Sequence, residues 1–307
     1  MLQINLLGTP EIFLDDQLQL RFRTRKAQAL LIYLATTNRS WTRDALATLF
    51  WPETDDASSR KNLRDILPPL RRRLKGHLLV ENDMLGLDIP GQSQCDVLQF
   101  RSVLEKQRQT IETDRLAATL QLYRGEFLAG LATSRISAEF ELWARREREQ
   151  LHQLALMGFT TLCQRQQADG AYEAALVTNQ RLLRLAPWDE ASHRRQMSLL
   201  AQSGQQAAAL AHFDACRQLL AEELDIEPDA TTAALYEQIK AGRVFSEPPK
   251  HIAPPTPATP VPQPVPHNLP RQLTSLIGRA SEIDAVQQLL QAESTALLTL
   301  VGQGGVG

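Results

Sequence analysis

Ten of the chain's 17 prolines fall within residues 247–270, EPPKHIAPPTPATPVPQPVPHNLP, and a segment of that composition cannot keep a helical or sheet ladder of backbone hydrogen bonds. The stretch reads as an extended, semi-rigid tether that divides the 307 residues into about 246 before it and 37 after it. At roughly 150 residues per domain, the first part has room for two folded units. The last 37 residues are too few for a typical globular domain, and the chain stops at VGQGGVG, a glycine-rich run behind a strand-like stretch. A truncated domain is the expectation there.

Charge is nearly balanced, with 33 basic against 35 acidic side chains, which excludes a polybasic protein but leaves room for one basic face. No run approaches the roughly 18 apolar residues that cross a bilayer. The N-terminus, MLQINLLGTPEIFLDD, lacks the basic start, apolar stretch and cleavage site of a signal peptide, so a cytoplasmic protein with no membrane partner is expected. Cys95, Cys163 and Cys216 are far apart and have no C-x-x-C spacing, which argues against a disulfide scaffold and a zinc knuckle, and no metal ligand is assigned. No Ser, Asp or Cys constellation surrounds His193 to support hydrolysis, so no catalytic residue and no enzyme activity are assigned to these residues.

Residues 1–94 mix short strands with short helices. LQINLL, EIFL and LQLRF alternate as strands between turn-forming residues. Thr24 is placed to cap a helix through Thr36, in which Ala27, Leu30, Leu31 and Leu34 recur on one face. Thr42 is placed to cap RDALATLF, which Trp51 and Pro52 end. A third helix from about Asp56 to Leu74 carries Leu63, Ile66, Leu67, Leu70 and Leu74 on a single stripe, and LLVEND with MLGLDI forms a hairpin. Strand, three helices and hairpin in that order predict a winged helix.

From Asp96 to about Phe245 the pattern is almost wholly helical. GAYEAAL at residues 170–176 recurs as GQQAAAL at 204–210, an offset of 34 residues, the period of tetratricopeptide-like helix pairs. The small Ala174 and Ala208 are expected at close helix contacts, with Leu176 and Leu210 filling the groove. An ordinary Ala-rich bundle predicts the same helices; only the offset favours a solenoid. The fold class expected for the whole is mostly α with a small α+β part.

Function concentrates in the third helix. Between Arg60 and Lys75 stand seven basic residues, Arg60, Lys61, Arg64, Arg71, Arg72, Arg73 and Lys75, against Asp65 alone, a local net charge of +6. With the leucine stripe buried, Lys61, Asp65, Pro68 and Arg72 turn outward and Arg64 and Arg71 lie on the flanks. Such a helix beside a hairpin wing is suited to a DNA major groove, with arginines on guanine edges and other cations on phosphates. Asn62 shares the helix; Arg21, Arg23, Arg25, Lys26 and Arg43 add phosphate contacts at the edges, and the helix start at Thr42 is a second phosphate site. The same charge also suits a helix that does no more than solvate a surface. Pro68 and Pro69 either kink this helix or split it, and a split leaves Arg60, Lys61, Asn62 and Arg64 as the stronger contacts.

LLG, LFWPETD, SSRKNLRDILPPLRRRL and CDVLQF, in that order, resemble the winged-helix domain of the Streptomyces antibiotic regulatory protein family, whose DNA-binding half is of the response-regulator effector type. LQLYRGEFLAG, EFELWARRERE and LRLAPWDEASHRRQMSLLAQSGQQAAALAHFDACRQLLAEELDIEPDATTAALY look like the bacterial transcriptional activation domain that accompanies it. The resemblance implies a winged-helix DNA-binding domain over 1–94, a tetratricopeptide-like activation domain over 95–245 and a Pro-rich linker over 246–270. It also implies an activator that binds direct repeats in double-stranded promoter DNA as a head-to-tail homodimer and recruits RNA polymerase. Arg60, Asn62, Arg64 and Arg72 fall on the family's recognition-helix region, although PP replaces its more usual small polar residues. Trp143, Trp188, Glu190, His193, Arg194 and Met197 fit the helical-domain motifs and read as core packing and capping. A protein-interaction scaffold with a purely structural winged helix is the competing reading.

LIGRASEIDAVQQLLQ followed by ALLTLVGQGGVG resembles the start of a STAND or NB-ARC ATPase over 271–307, with Arg279 bordering a nucleotide and Gly302, Gly304, Gly305 and Gly307 beginning a Walker A loop. In such a loop the lysine and hydroxyl that grip phosphate and magnesium would be expected just beyond Gly307. ATP or ADP with magnesium is therefore implied only for a longer polypeptide, which would regulate the DNA-binding part through that domain.

Overall fold

The computed structural model describes residues 2–15, 22–89 and 94–243. The expected linker, the ATPase-like tail with Arg279 and its glycines, Arg21 and most of the LQLRF strand lie outside the described residues.

Strands β1 (Leu2–Asn5) and β2 (Glu11–Leu14) pair antiparallel, with Leu2 opposite Leu14 and Ile4 opposite Ile12. Helix α1 (Arg25–Thr37) starts where the Thr24 hydroxyl accepts from the Ala27 N–H at 3.2 Å, and it stops at Asn38, which takes the left-handed conformation. After β3 (Trp41–Thr42), helix α2 (Arg43–Phe50) is capped in the same way by Thr42, whose hydroxyl accepts from Ala45 N–H. Helix α3 (Asp56–Arg73) follows, capped by the Asp55 carboxylate on Ser58 N–H at 2.9 Å; that bond holds the Asp55 carboxyl below its ordinary pKa. Strands β4 (Leu78–Glu81) and β5 (Met84–Leu87) close a hairpin across Asn82 and Asp83, and β3 joins it in the order β3-β5-β4.

The rest is helical: α4 (Asp96–Lys106), α5 (Thr113–Gln121), α6 (Ala138–Ala168), α7 (Tyr172–Leu185), α8 (Glu190–Gln202), α9 (Gln206–Leu224) and α10 (Ala230–Lys240). From α6 onward each helix packs on the next in sequence, the nearest-neighbour stacking of helix pairs. The 34-residue offset is visible in the backbone. Gly170 and Gly204 both take positive φ, 74° and 79°, and both let the following N–H reach back five residues, Ala171 to Gln166 and Gln205 to Leu200, each at 2.8 Å.

One expectation is corrected here. Ala174 and Ala208 are exposed, and it is Ala175 and Ala209 that are fully buried between helices. Helices α7 and α9 each begin two residues after their glycine, and that start rotates the second alanine, 100° further round, onto the neighbour. The offset survives the correction, since 175 and 209 are also 34 apart. All three cysteines are free and buried.

The wing-bearing part shares one core with helices α4 to α7, running from Leu2 to Leu182, while α8 to α10 pack around smaller clusters. Phe140 stands 5.6 Å from the ring of Phe50 and 5.1 Å from that of Trp143, and Trp143 in turn meets Tyr33 at 4.8 Å. Ser137, the cap of α6, donates to Leu49 O at 2.7 Å and so ties α6 to the end of α2. At the other side of the seam, buried Asp96 accepts from the N–H groups of Leu6 at 2.8 Å and Leu7 at 2.9 Å and from Arg124 at 3.1 Å. Trp188 departs from its core-packing assignment, being 50% exposed on the α7–α8 turn. Met197 and His193 are buried as expected, while Glu190 accepts from Thr232 Oγ1 at 2.6 Å at the start of α10.

Candidate nucleic-acid interface

Helix α3 runs unbroken through Pro68 and Pro69. Their missing N–H groups leave the carbonyls of Arg64 and Asp65 without helical partners, and both residues are exposed, so water can satisfy those oxygens. A helix-interior proline costs about 3 kcal/mol; burial of Leu63, Leu67, Leu70 and Leu74, each worth roughly 1.5–3 kcal/mol, offsets that and holds the helix in phase. The stripe is as expected except at Ile66, which is only partly buried.

With the leucines anchored, Arg60, Lys61, Arg64, Asp65, Pro68, Arg71, Arg72 and Arg73 face solvent and Asn62 is half-buried. Among the described residues, acids from outside the run meet Arg60 and Lys75. Arg60 pairs with Asp44 through two bonds, Nε to Oδ1 at 2.6 Å and Nη2 to Oδ2 at 2.8 Å, which raises its pKa above the ordinary value. Lys75 holds Asp15 at 2.7 Å and brings that carboxyl down to about 2. The local charge presented to a ligand is thus smaller than the run of letters implies.

Arg43, Asp44, Arg60, Arg64 and Asp83 line a hollow of about 230 Å³ between α3, the start of α2 and the hairpin turn. The backbone N–H of Arg43 donates to Asp83 O at 2.9 Å, which fixes the turn of the wing against α2. The Nε of Arg43 is buried there with no hydrogen-bond partner. At the far end of α3, Arg73, Asp65 and Arg23 line a second, larger hollow of about 490 Å³ with Pro69, Ile66 and Phe22. Arg25 is exposed, but Lys26 is turned inward: its ammonium bonds Phe50 O at 2.5 Å and lies 4.8 Å from the Trp51 ring, and burial lowers its pKa. Lys26 therefore serves the α1–α2 junction and not the outer surface.

The structure thus brings Arg43, Arg60 and Arg64 together, leaves Lys61 and Arg72 on the open face and gives the Thr42 hydroxyl a capping bond. Sequence reasoning missed Asp44 and Asp83. The one available signal was an acid in the first turn of α2, a position that also simply favours helix starts. Among the described residues, no three His, Cys, Asp or Glu side chains converge to hold a metal ion, and no helix is long and apolar enough to cross a membrane.

Comparison with known proteins adds a family-level finding. The family model described as the bacterial transcriptional activator domain matches residues 95–240. The chain is 27% identical over 252 residues to the transcriptional regulatory protein MoaR1 of Mycobacterium tuberculosis, covering 77% of this chain and 78% of that one. It is 25% identical over 323 residues to the regulatory protein AfsR of Streptomyces coelicolor, a match over all of this chain and 31% of that protein. Among solved structures, Mycobacterium tuberculosis EmbR in complex with a low-affinity phosphopeptide superposes with a TM-score of 0.56 at 23% identity, over 79% of this chain and 68% of that one, a likeness of fold.

Proposed function

We propose that this chain, a transcriptional regulator of the Streptomyces antibiotic regulatory protein type, reads double-stranded promoter DNA through α3 and its flanking wing. The observation that carries the reading is the exposed cationic face of α3, set by a leucine stripe and continuous past two prolines. In this reading Arg64, Lys61, Arg72 and Asn62 enter the major groove, while Arg43, Arg73 and the start of α2 at Thr42 meet phosphates. Arg60 approaches DNA through the guanidinium edge that Asp44 leaves open. An arginine seated in the groove recognises guanine through paired bonds to O6 and N7.

The finer expectations belong to the same proposal: binding to direct repeats as a head-to-tail homodimer, recruitment of RNA polymerase by the helical domain over 95–245, and control by a nucleotide-binding domain in a longer polypeptide. Selection from random duplexes followed by sequencing tests the first of these. Enriched motifs should come as tandem repeats about one helical turn apart, and isolated or inverted half-sites would contradict the dimer geometry.

A further inference from the structure

A third concavity, with no α3 residue in its lining, lies on the helical part. It measures about 220 Å³ and is lined by Arg124, Arg181 and Arg184 together with Tyr123, Gly125, Phe159 and Leu185. Three guanidinium groups around one hollow is an unfavourable arrangement unless carboxylates neutralise them. Arg124 has such partners, Glu11 at 3.2 Å and Asp96 at 3.1 Å. Among the described residues, Arg181 and Arg184 have none. Arg181 is held in place otherwise, its guanidinium carbon 5.3 Å from the centre of the Phe159 ring, and Arg184 sits one turn further along the same face of α7.

We propose that this hollow is a binding site for a small phosphate-bearing anion, clasped between Arg124, Arg181 and Arg184. Guanidinium groups match phosphate geometry through paired N–H donors, and partial enclosure strengthens each bond relative to open solvent. Size narrows the ligand class. The hollow is below the roughly 300–1,000 Å³ typical of drug-sized organic ligands and suits a free phosphate or pyrophosphate. The site is independent of the DNA-reading proposal, since none of its residues lies on α2, α3 or the wing.

Isothermal titration of the whole chain with pyrophosphate, at fixed ionic strength against a chloride control, tests the proposal. Because α3 can also attract anions, the R64A/R72A protein is titrated alongside. Saturable one-site binding should persist in R64A/R72A and weaken at least tenfold in R181Q/R184Q. Should the double variant lose its circular dichroism signal, R184Q alone, altered at an exposed side chain, is used and should weaken binding about threefold or more. A third arm presents a phosphoserine peptide. Binding of the peptide without binding of pyrophosphate, equal affinity in the Arg181 and Arg184 variants, or no saturable heat would each overturn the assignment.

Discussion

The guanidinium of Arg60 lies edge to edge with the carboxylate of Asp44, so the first turn of α2 and the first turns of α3 are joined by two parallel bonds 2.6 and 2.8 Å long. Both side chains are about half exposed, at 53% and 55%, so solvent screens the pair; it adds little to stability and matters mainly for what Arg60 presents to a ligand. D44A is expected to leave the melting temperature nearly unchanged and to tighten binding to a non-cognate duplex several-fold. Its plot of log affinity against log salt should steepen by about 0.9 as Arg60 gains a phosphate partner. Salt-titrated fluorescence anisotropy reads both quantities, and an unchanged slope would count against a role for Arg60 at the DNA surface.

Phe140 is fully buried between α6 and the end of α2, and the wing-bearing part shares its core with helices α4 to α7. F140A is expected to destabilise the protein by about 3–5 kcal/mol. Far-UV circular dichroism and tryptophan fluorescence should move together to lower denaturant as a single transition. Two separated transitions would mean that the parts unfold independently despite the shared core.

His193 Nε2 lies 2.7 Å from Pro187 O, an acceptor only, so it carries the proton, and its Nδ1 accepts from His212 Nε2–H at 3.0 Å. Burial first, and the nearby His193 second, lower the His212 pKa from 6.5 to about 4. Between those values the unfolded chain binds more protons than the folded one, so this contribution to stability is complete above pH 6.5 and is lost as pH falls toward 4. Urea denaturation at stepped pH should show that decline in the wild type and a shallower one in H212Q, which keeps a donor toward His193.

Local features of the chain were readable in its letters, and features that depend on two distant segments meeting were not. Thr24 and Thr42 were legible as caps because a cap is decided within three residues. The leucine stripe of α3 and the turn at Asn82 were legible for the same reason. The 34-residue offset showed where helix pairs recur, but which of two neighbouring alanines faces inward depends on the residue at which each helix starts. Asp44, 16 residues from Arg60, and Asp15, 60 residues from Lys75, carry no local sign of their partners. The basic run therefore showed where the site lies and overstated its free charge. Trp188 was misjudged because size and hydrophobicity favour burial on average, whereas a short turn after Pro187 leaves this ring outside.

Pro68 and Pro69 cost helix hydrogen bonds on the solvent side only. P68A/P69A restores two N–H groups and is expected to raise stability by about 1–3 kcal/mol, after allowance for the more flexible unfolded chain. Chemical denaturation measures the gain. A loss of stability would indicate that the prolines set a bend required for the leucine stripe to pack.

The central claim is that the exposed cations of α3 read DNA. The most direct measurement is a fluorescence titration of the R64A/R72A protein, shown to be folded by circular dichroism, against the duplex selected by the wild type. An affinity loss of at least a hundredfold, with the salt slope reduced by about 0.9 for each lost phosphate contact, is expected. Unchanged affinity in the folded double variant would contradict the assignment of α3 as the reading helix.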